Sequence, residues 1–298
     1  MMIFKWIIKE TDKKNIRSFL ANHDFSNSQI SKLKNRGGRI FVNKKQRYLS
    51  YDMPAGATLV VVMPSEVSSE KIVPIAGKID IVYEDEFYII VNKPAGLASL
   101  PARGKATATM ANYVKDYLQK QNQSDAIHTV TRLDKDTSGL MIFAKNSYAH
   151  SQIGGTLHNE DFLKSYIAIA INKFDKNAGM IDLPIGVSDD FYMKRVIDYK
   201  HGKASQTKYQ VLENFDNGAI CQVTLLSGRT HQIRVHFKAI GHPLFGDSLY
   251  NENPTDLIER QALHCERLKF VHPINKEIID VKASIPRDME NLMQKLRT

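Results

Sequence analysis

At 298 residues, 43% hydrophobic and 24% charged, the chain has the composition of an ordinary globular protein, with length enough for two domains and a substantial buried core. No run approaches the ~18 apolar residues of a membrane span. The two cysteines, Cys221 and Cys265, cannot by themselves make a Cys-based zinc site, and their apolar settings suit buried reduced thiols better than a disulfide. The net charge is +9, and it is uneven: residues 1–64 hold 12 Lys/Arg against 4 Asp/Glu, and the rest hold 29 against 28. That asymmetry points to a polyanion-binding module joined to a near-neutral body. The opening Met1–Lys9 stretch is too short and too interrupted by lysine for a secretory signal, so a cytoplasmic location is expected.

In chain order, Ile16, Phe19 and Leu20 recur at helical spacing. Ser26 or Ser28 is placed to cap a second helix through Ile30 and Leu33, stopped by Gly37-Gly38. Lys32, Lys34, Arg36 and Arg39 make this segment a basic stripe suited to phosphate. Strand-like runs follow at 39–43 and 58–62. Residues 65–78 are polar and proline-bounded and read as a linker.

Alternation over 79–84, a turn at Glu84-Asp85-Glu86 and the apolar run Phe87–Val91 predict a β-hairpin, ending in the turn Asn92-Lys93-Pro94-Ala95-Gly96. Met110, Tyr113, Val114, Tyr117 and Leu118 mark an amphipathic helix, with Thr109 as N-cap and its aromatics in the core. Another helix is expected through Ala149 and Ile153, and a strand over Ser165–Ile171. Residues 172–208 read as an excursion from the sheet. Strand character resumes at 209–212 and 219–226, and His231–Ile240 reads as a helix stopped by Gly241. A last strand at 263–270 and a terminal helix at 288–296 complete the chain. The whole predicts an α+β protein: a small basic α/β domain over 1–64, a linker over 65–78, and over 79–298 a second domain with a mixed, largely antiparallel sheet flanked by helices and loops.

Between apolar runs lies the polar loop Thr131-Arg132-Leu133-Asp134-Lys135-Asp136-Thr137-Ser138-Gly139-Leu140, with two carboxylates, an arginine and hydroxyls on one turn. A polar turn between strands surfaces as a loop, because its backbone needs water or side-chain partners. A paired-carboxylate glycosidase is one reading of Asp134 and Asp136, but alternate residues in an extended turn point apart and the ~5–9 Å separation across a sugar is unsupported. Asp136 reads as solvated or loop-bracing. His231, His236 and His242 invite a metal reading, yet His231 and His236 do not share a helical face as i, i+4 ligands would. Packed or RNA-facing histidines are the alternative.

Four segments together resemble the RluA-type family of ribosomal RNA pseudouridine synthases, in that family's order. They are Tyr83-Glu84-Asp85 with Val91–Gly96; Arg132–Leu140; Lys164-Ser165-Tyr166-Ile167-Ala168; and Gly228–His236 with Gly241–Asp247. The first 64 residues, with two basic helices and Gly-Gly-Arg-Ile-Phe-Val-Asn, resemble an S-four-type RNA-binding domain. The resemblance implies isomerisation of uridine to pseudouridine in structured RNA, most of all large-subunit ribosomal RNA. It implies Asp134 as the catalytic aspartate, Arg132 as the residue helping to extrude the nucleotide, Tyr166 stacking on uracil, and Arg234 pairing with the aspartate. Arg229 has a weaker claim to that pairing, with a phosphate contact as its alternative, Lys93 orients a loop or touches phosphate, and Leu268 supplies an apolar wall. Thr131 departs from the family, which commonly has histidine there.

The chemistry agrees. The isomerisation breaks a glycosidic C–N bond, rotates the uracil and rejoins it through carbon, with no electrons exchanged. No cofactor is expected, and no convincing dinucleotide or P-loop fingerprint is present. A carboxylate serves as nucleophile or base, and an arginine within ~4–6 Å favours the charged form of such a group. Extruding the nucleotide costs a few kcal/mol, which an inserted side chain and an aromatic platform offset. The expected partner is RNA, with no metal and no membrane, and the protein a monomer. The competing functions are a non-catalytic RNA-binding or ribosome-assembly factor, and a synthase acting on transfer RNA.

Overall fold

The computed structural model describes residues 2–298 apart from 65, 67–71, 103–107, 124–125, 158, 160, 189–190, 192 and 253–255; much of the expected linker thus lies outside the described residues. The chain begins with β1 (Ile3–Ile7), then α1 (Ile16–Asn22), α2 (Asn27–Asn35), β2 (Arg39–Val42), β3 (Lys45–Gln46) and β4 (Thr58–Val62). These strands form one sheet in the order β1-β4-β2-β3. β1 was not foreseen, because its five residues become a strand only by pairing with β4 at the far end of the segment, Ile3 opposite Val62. Ser26 caps α2 with a capping box to Gln29, which satisfies two of the helix's free amides. Ile16, Phe19, Leu20, Ile30, Leu33, Leu59 and Val61 build a core separate from that of the rest of the chain.

The second part contains β5 (Ile81–Glu84), β6 (Tyr88–Lys93), α3 (Met110–Lys120), β7 (His128–Thr129), β8 (Ser138–Ala144), α4 (Ser147–Gly154), β9 (Leu163–Ile171), β10 (Ala178–Asp182), β11 (Ile185–Val187), β12 (Arg195–Ile197), β13 (Gln206–Phe215), β14 (Gly218–Leu225), α5 (Gln232–Ala239), β15 (Leu263–Val271), β16 (Ile278–Lys282) and α6 (Arg287–Arg297). Its main sheet runs β10-β13-β14-β9-β15-β8-β6-β5, with β16 on β15 and β7 on β8. The described pairings in it are antiparallel except that of β15 with β8. The fold is α+β with a mixed, largely antiparallel sheet. Residues 172–208 are only partly an excursion: β10 closes the sheet's edge against β13, and β11 and β12 form their own hairpin.

β8 is buried along its whole length, which explains its unbroken apolar run Leu140–Ala144: a strand covered on both faces has no polar side to alternate with. α3 lays Met110, Val114 and Leu118 into the same core. The expected Thr109 start holds, with Asn112 Oδ1 accepting from both the backbone and the hydroxyl of Thr109.

The two parts meet at α4. The Tyr148 ring sits 4.7 Å from Phe4 and 5.1 Å from Phe25 between centroids, and Gln29 and Gln152 each donate an amide across the seam, to Ser147 O and Asp24 O. Glu66 braces the same helix by accepting from the backbone and hydroxyl of Ser147, and its other oxygen meets His128 Nε2 at 2.8 Å. Burial acts to raise the Glu66 carboxyl, but the hydrogen bonds from His128 and Ser147 outweigh it and hold the group at about 2 against the ordinary 4.5. A depressed carboxyl stabilises the fold above its unfolded value and loses that contribution as pH falls through the folded one. Glu66→Gln should therefore abolish the part of the acid destabilisation that falls between roughly pH 4.5 and 2. Urea titrations of both proteins across that range are the check; identical pH dependence would rule out this brace.

Candidate active site

The loop 131–137 between β7 and β8 carries Asp134, and three separate segments pin its backbone. The Ser99 hydroxyl donates to Leu133 O at 2.6 Å and accepts from Leu133 N. Lys93 Nζ donates to Lys135 O at 2.9 Å, and Arg260 Nη1 to Asp136 O at 3.2 Å. Within the loop, Thr137 N closes a turn onto Asp134 O. Just beyond, Gly139 has φ +113°, and a Cβ there would lie 2.3 Å from Cys265 O. No other residue tolerates that approach, so the glycine lets β8 run against β15 where the two meet in parallel, Gly139 beside Cys265.

Arg234 comes from the first turn of α5. Asp247 grips its guanidinium with both oxygens, Nε to Oδ2 at 2.7 Å and Nη2 to Oδ1 at 2.8 Å. The Tyr250 ring lies 5.0 Å below it. The remaining edge, Nη1, donates to Asp134 Oδ2 at 3.1 Å. Burial alone lowers an arginine, but Asp247 and then Asp134 raise Arg234 above its ordinary value, and it is a fixed cation. Asp247 is held in turn by the backbone amides of Leu249 and Tyr250. Gly246 before it has φ +68°, with space for no Cβ beside Arg260 O.

The Asp134 carboxylate faces a cleft of about 460 Å³, lined by Arg132, Lys135, Lys164, Arg229 and Arg234 and by the apolar Leu157, Leu225 and Leu263. Asp134 is the sole carboxylate of that lining among the described residues. Its hydrogen bond and ion pairs among them all engage Oδ2, which leaves Oδ1 to the cleft. Tyr166, on β9 between Val223 and Cys265, lies in the wall. Burial, then the Cys265 thiol, push its phenol well above its ordinary value, so the ring is uncharged at neutral pH. Arg132 and Arg229 stand exposed at the cleft's rim. Thr131, where histidine was expected, turns its hydroxyl to accept from Ile142 N.

Two expected substrate contacts are placed elsewhere. Lys93 is fully buried and spends its three donors on the carbonyls of Pro94, Leu97 and Lys135; it fastens the 94–97 turn to the Asp134 loop and does not reach phosphate. Leu268 lies in the core and outside the cleft lining, while Leu263 of the same strand is part of the apolar wall. His236 and His242 are packing residues: His236 bridges Thr207 and Leu183 O, and His242 stacks on Phe174. No group of three His, Cys, Asp or Glu among the described residues is placed to hold a metal. Sequence reading assigned no part to Asp247, Tyr250, Arg260 or Lys164. Asp247 lay inside a segment already singled out, but no spacing rule ties it to Arg234. Lys164, in the wall, is lowered by burial and adds to the cleft's positive lining.

A profile of the family described as RNA pseudouridylate synthase matches residues 87–239. The chain is 34% identical over 279 residues to an uncharacterised RNA pseudouridine synthase, YjbO, of Bacillus subtilis (strain 168), covering 94% of this chain and 98% of that one. It is 36% identical over 288 residues to ribosomal large subunit pseudouridine synthase D of Neisseria meningitidis serogroup A, covering 92% and 76%. The fold is similar to that of human RNA pseudouridylate synthase domain containing 4, with a TM-score of 0.60 at 21% identity over 73% of this chain and 93% of that one.

Lys93→Met keeps length and apolar bulk but leaves three buried carbonyls without a donor, each worth about 1–3 kcal/mol. It should destabilise the protein by about 3 kcal/mol or more in urea titration and cut turnover, with RNA affinity close to wild type. A large loss of affinity with unchanged stability would instead put Lys93 on the RNA.

Proposed function

Because this chain belongs to the RNA pseudouridylate synthase family, we propose that its cleft isomerises uridines in structured ribosomal RNA of the large subunit, with Asp134 as the catalytic group. The relatives named as large-subunit synthases support the ribosomal substrate, and their being named as synthases leaves the non-catalytic RNA-binding factor without support. The observation that carries the assignment of Asp134 is the make-up of the cleft. One carboxylate, clamped through one oxygen by a buried arginine, stands among five cations. Such a lining suits a polyanion, and the carboxylate is the group aimed at what the polyanion delivers.

In the reaction the C1′–N1 bond breaks, C1′ bonds C5, the C5 hydrogen leaves and N1 takes a proton, so the product is an isomer. Asp134 Oδ1 reaches the nucleotide as nucleophile or base while Oδ2 remains on Arg234. Arg132, exposed at the rim, takes part in extruding the nucleotide, Tyr166 stacks on the uracil, and Arg229 contacts phosphate. Extrusion costs a few kcal/mol, which the ring and the cations offset on arrival.

Residues 1–64 act in this reading as an S-four-type RNA-binding domain, joined through 65–78 to the catalytic domain 79–298. Lys34, Arg36 and Arg39 are exposed and Lys32 half-buried, on the last turn of α2 and the start of β2. Cations at a helix C-terminus also complement its dipole. The same reading makes the protein a cytoplasmic monomer on its RNA; among the described residues no helix is long and apolar enough to cross a membrane.

Asp134→Asn should abolish pseudouridine formation with RNA affinity nearly intact, and pseudouridine mapping of total RNA with and without the gene should lose specific large-subunit sites. Activity in Asp134→Asn would sink the assignment, and loss confined to transfer RNA would move the substrate. Changing Lys32, Lys34, Arg36 and Arg39 together to Gln should shrink the slope of log affinity against log salt by about 3; an unchanged slope would remove this stripe from the RNA interface.

A further inference from the structure

His231 immediately precedes α5 and holds a left-handed backbone, φ +58°. Few residues other than Gly, Asn, Asp and His take that conformation, and it sets the ring beside Asp134 and Tyr250. Its ring is hydrogen-bonded at one nitrogen and faces Asp134 with the other. Nδ1 lies 3.0 Å from the Tyr250 hydroxyl, and Nε2 lies 3.7 Å from Asp134 Oδ2.

The Tyr250 hydroxyl bears on which nitrogen carries the proton. Arg195 N donates to Tyr250 Oη at 2.8 Å. With that oxygen already accepting from a backbone amide, its own hydrogen is free to be given to His231 Nδ1. An Nδ1 that accepts leaves the proton on Nε2, the nitrogen facing Asp134. The groups facing the ring are Asp134, Arg234, Arg195 and Asp247; burial, the largest effect, and the two arginines keep its pKa below the ordinary imidazole value against the two carboxylates. The neutral form is the one present at neutral pH.

We propose that His231 is a positioning residue for the reaction: a neutral imidazole, fixed as its Nε2–H tautomer by the Tyr250 hydroxyl, that with Arg234 keeps Asp134 Oδ2 turned inward and Oδ1 presented to the cleft. This rests on the reading of Asp134 as the catalytic group. One N–H from Arg234 leaves the carboxylate able to swing about its Cβ–Cγ bond, and a second donor beside the same oxygen removes that freedom. At 3.7 Å the contact is longer than a hydrogen bond. Catalytic hydrogen bonds are often long before substrate binds and tighten in the complex.

The test is the single-turnover release of tritium from 5-tritiated RNA that the wild-type enzyme modifies, read together with RNA Kd and Tm. His231→Asn suits the left-handed backbone and still reaches Tyr250, but cannot reach Asp134. It should slow the step about tenfold or more with Kd and Tm unchanged. His231→Gln, whose amide N–H reaches toward the Nε2 position, should recover most of the rate. Tyr250→Phe, which keeps the ring beneath Arg234 and removes the hydroxyl, should slow the step by less. A wild-type rate in His231→Asn, a rate loss matched by a fall in Tm, or no difference between Asn and Gln would overturn the proposal. Asp134→Asn measured alongside separates the two readings. If it is active, the assignment of Asp134 fails; if it is inactive while His231→Asn is fully active, only the role of His231 fails.

Discussion

Arg234 is a buried cation shared between two carboxylates, and the division is unequal. Asp247 takes two of its edges at 2.7 and 2.8 Å, and Asp134 receives the third at 3.1 Å. A buried ion pair adds little to stability when set against an apolar replacement, since desolvation offsets the attraction, but removing one partner strands the other at a cost of about 3–5 kcal/mol. Asp247 therefore settles the charge of Arg234 whether or not Asp134 is engaged. The tie to Asp134 is left as the weaker and adjustable one. A carboxylate that must act on a substrate is better placed there than in a bidentate pair, where reaction would have to break two charge-assisted bonds first.

The arrangement depends on segments far apart in the chain. Arg234 meets Asp134 across 100 residues, and Arg260 and Cys265 meet the loop across more than 120. The parallel contact of β15 with β8 joins them, and Gly139 makes it possible by having no Cβ. Ser99, Lys93 and Arg260 each take one carbonyl of the loop, so its backbone is held from three directions. A loop with paired carbonyls is rigid for the reason that it can be buried: each bond it would break to move leaves a polar group without water.

Much of this was legible in the sequence, and what was not has a common cause. Hydrophobic period and turn chemistry are local, and they located the hairpin β5–β6, α2 with its Ser26 cap, α3, the buried run of β8 and α5 with its stop at Gly241. The resemblance to a known family singled out Asp134, Arg132, Tyr166 and Arg234, and the cleft brings these together. β1 escaped notice because its partner lies some fifty-five residues on. For Lys93 the sequence left loop and phosphate both open, because a lysine in a proline–glycine turn is ordinarily solvated; only the inward turn of three carbonyls makes its burial tolerable. Leu268 was carried over from the family by position alone; the register of β15 against β9 shifts between Cys265 and Arg267, and a bulge of that kind changes which residue of a strand faces a given side. Asp247 and Tyr250 were unassigned because a loop partner of a helical arginine obeys no period.

The distribution of charge follows the same logic as the hydrogen bonds. The excess positive charge gathers in the first 64 residues, on a module that packs its own core and touches the catalytic body at α4, through Tyr148 and two glutamines. The cleft, by contrast, gathers five cations around one carboxylate on a body that is nearly neutral overall. Long-range attraction needs only net charge and is screened over roughly 8 Å at physiological salt, so it can sit on exposed lysines that hold no fixed pose. Chemistry needs position, and a misplacement of about 1 Å can cost a hundredfold in rate. Arg132 and Arg229 stand exposed at the rim, as side chains suited to long-range attraction can. Arg234 and His231 are withdrawn into the wall, and Asp247 and Lys93 are buried with their hydrogen-bonding groups engaged. The gradient from exposed to fixed side chains runs inward from the rim of the cleft to Asp134.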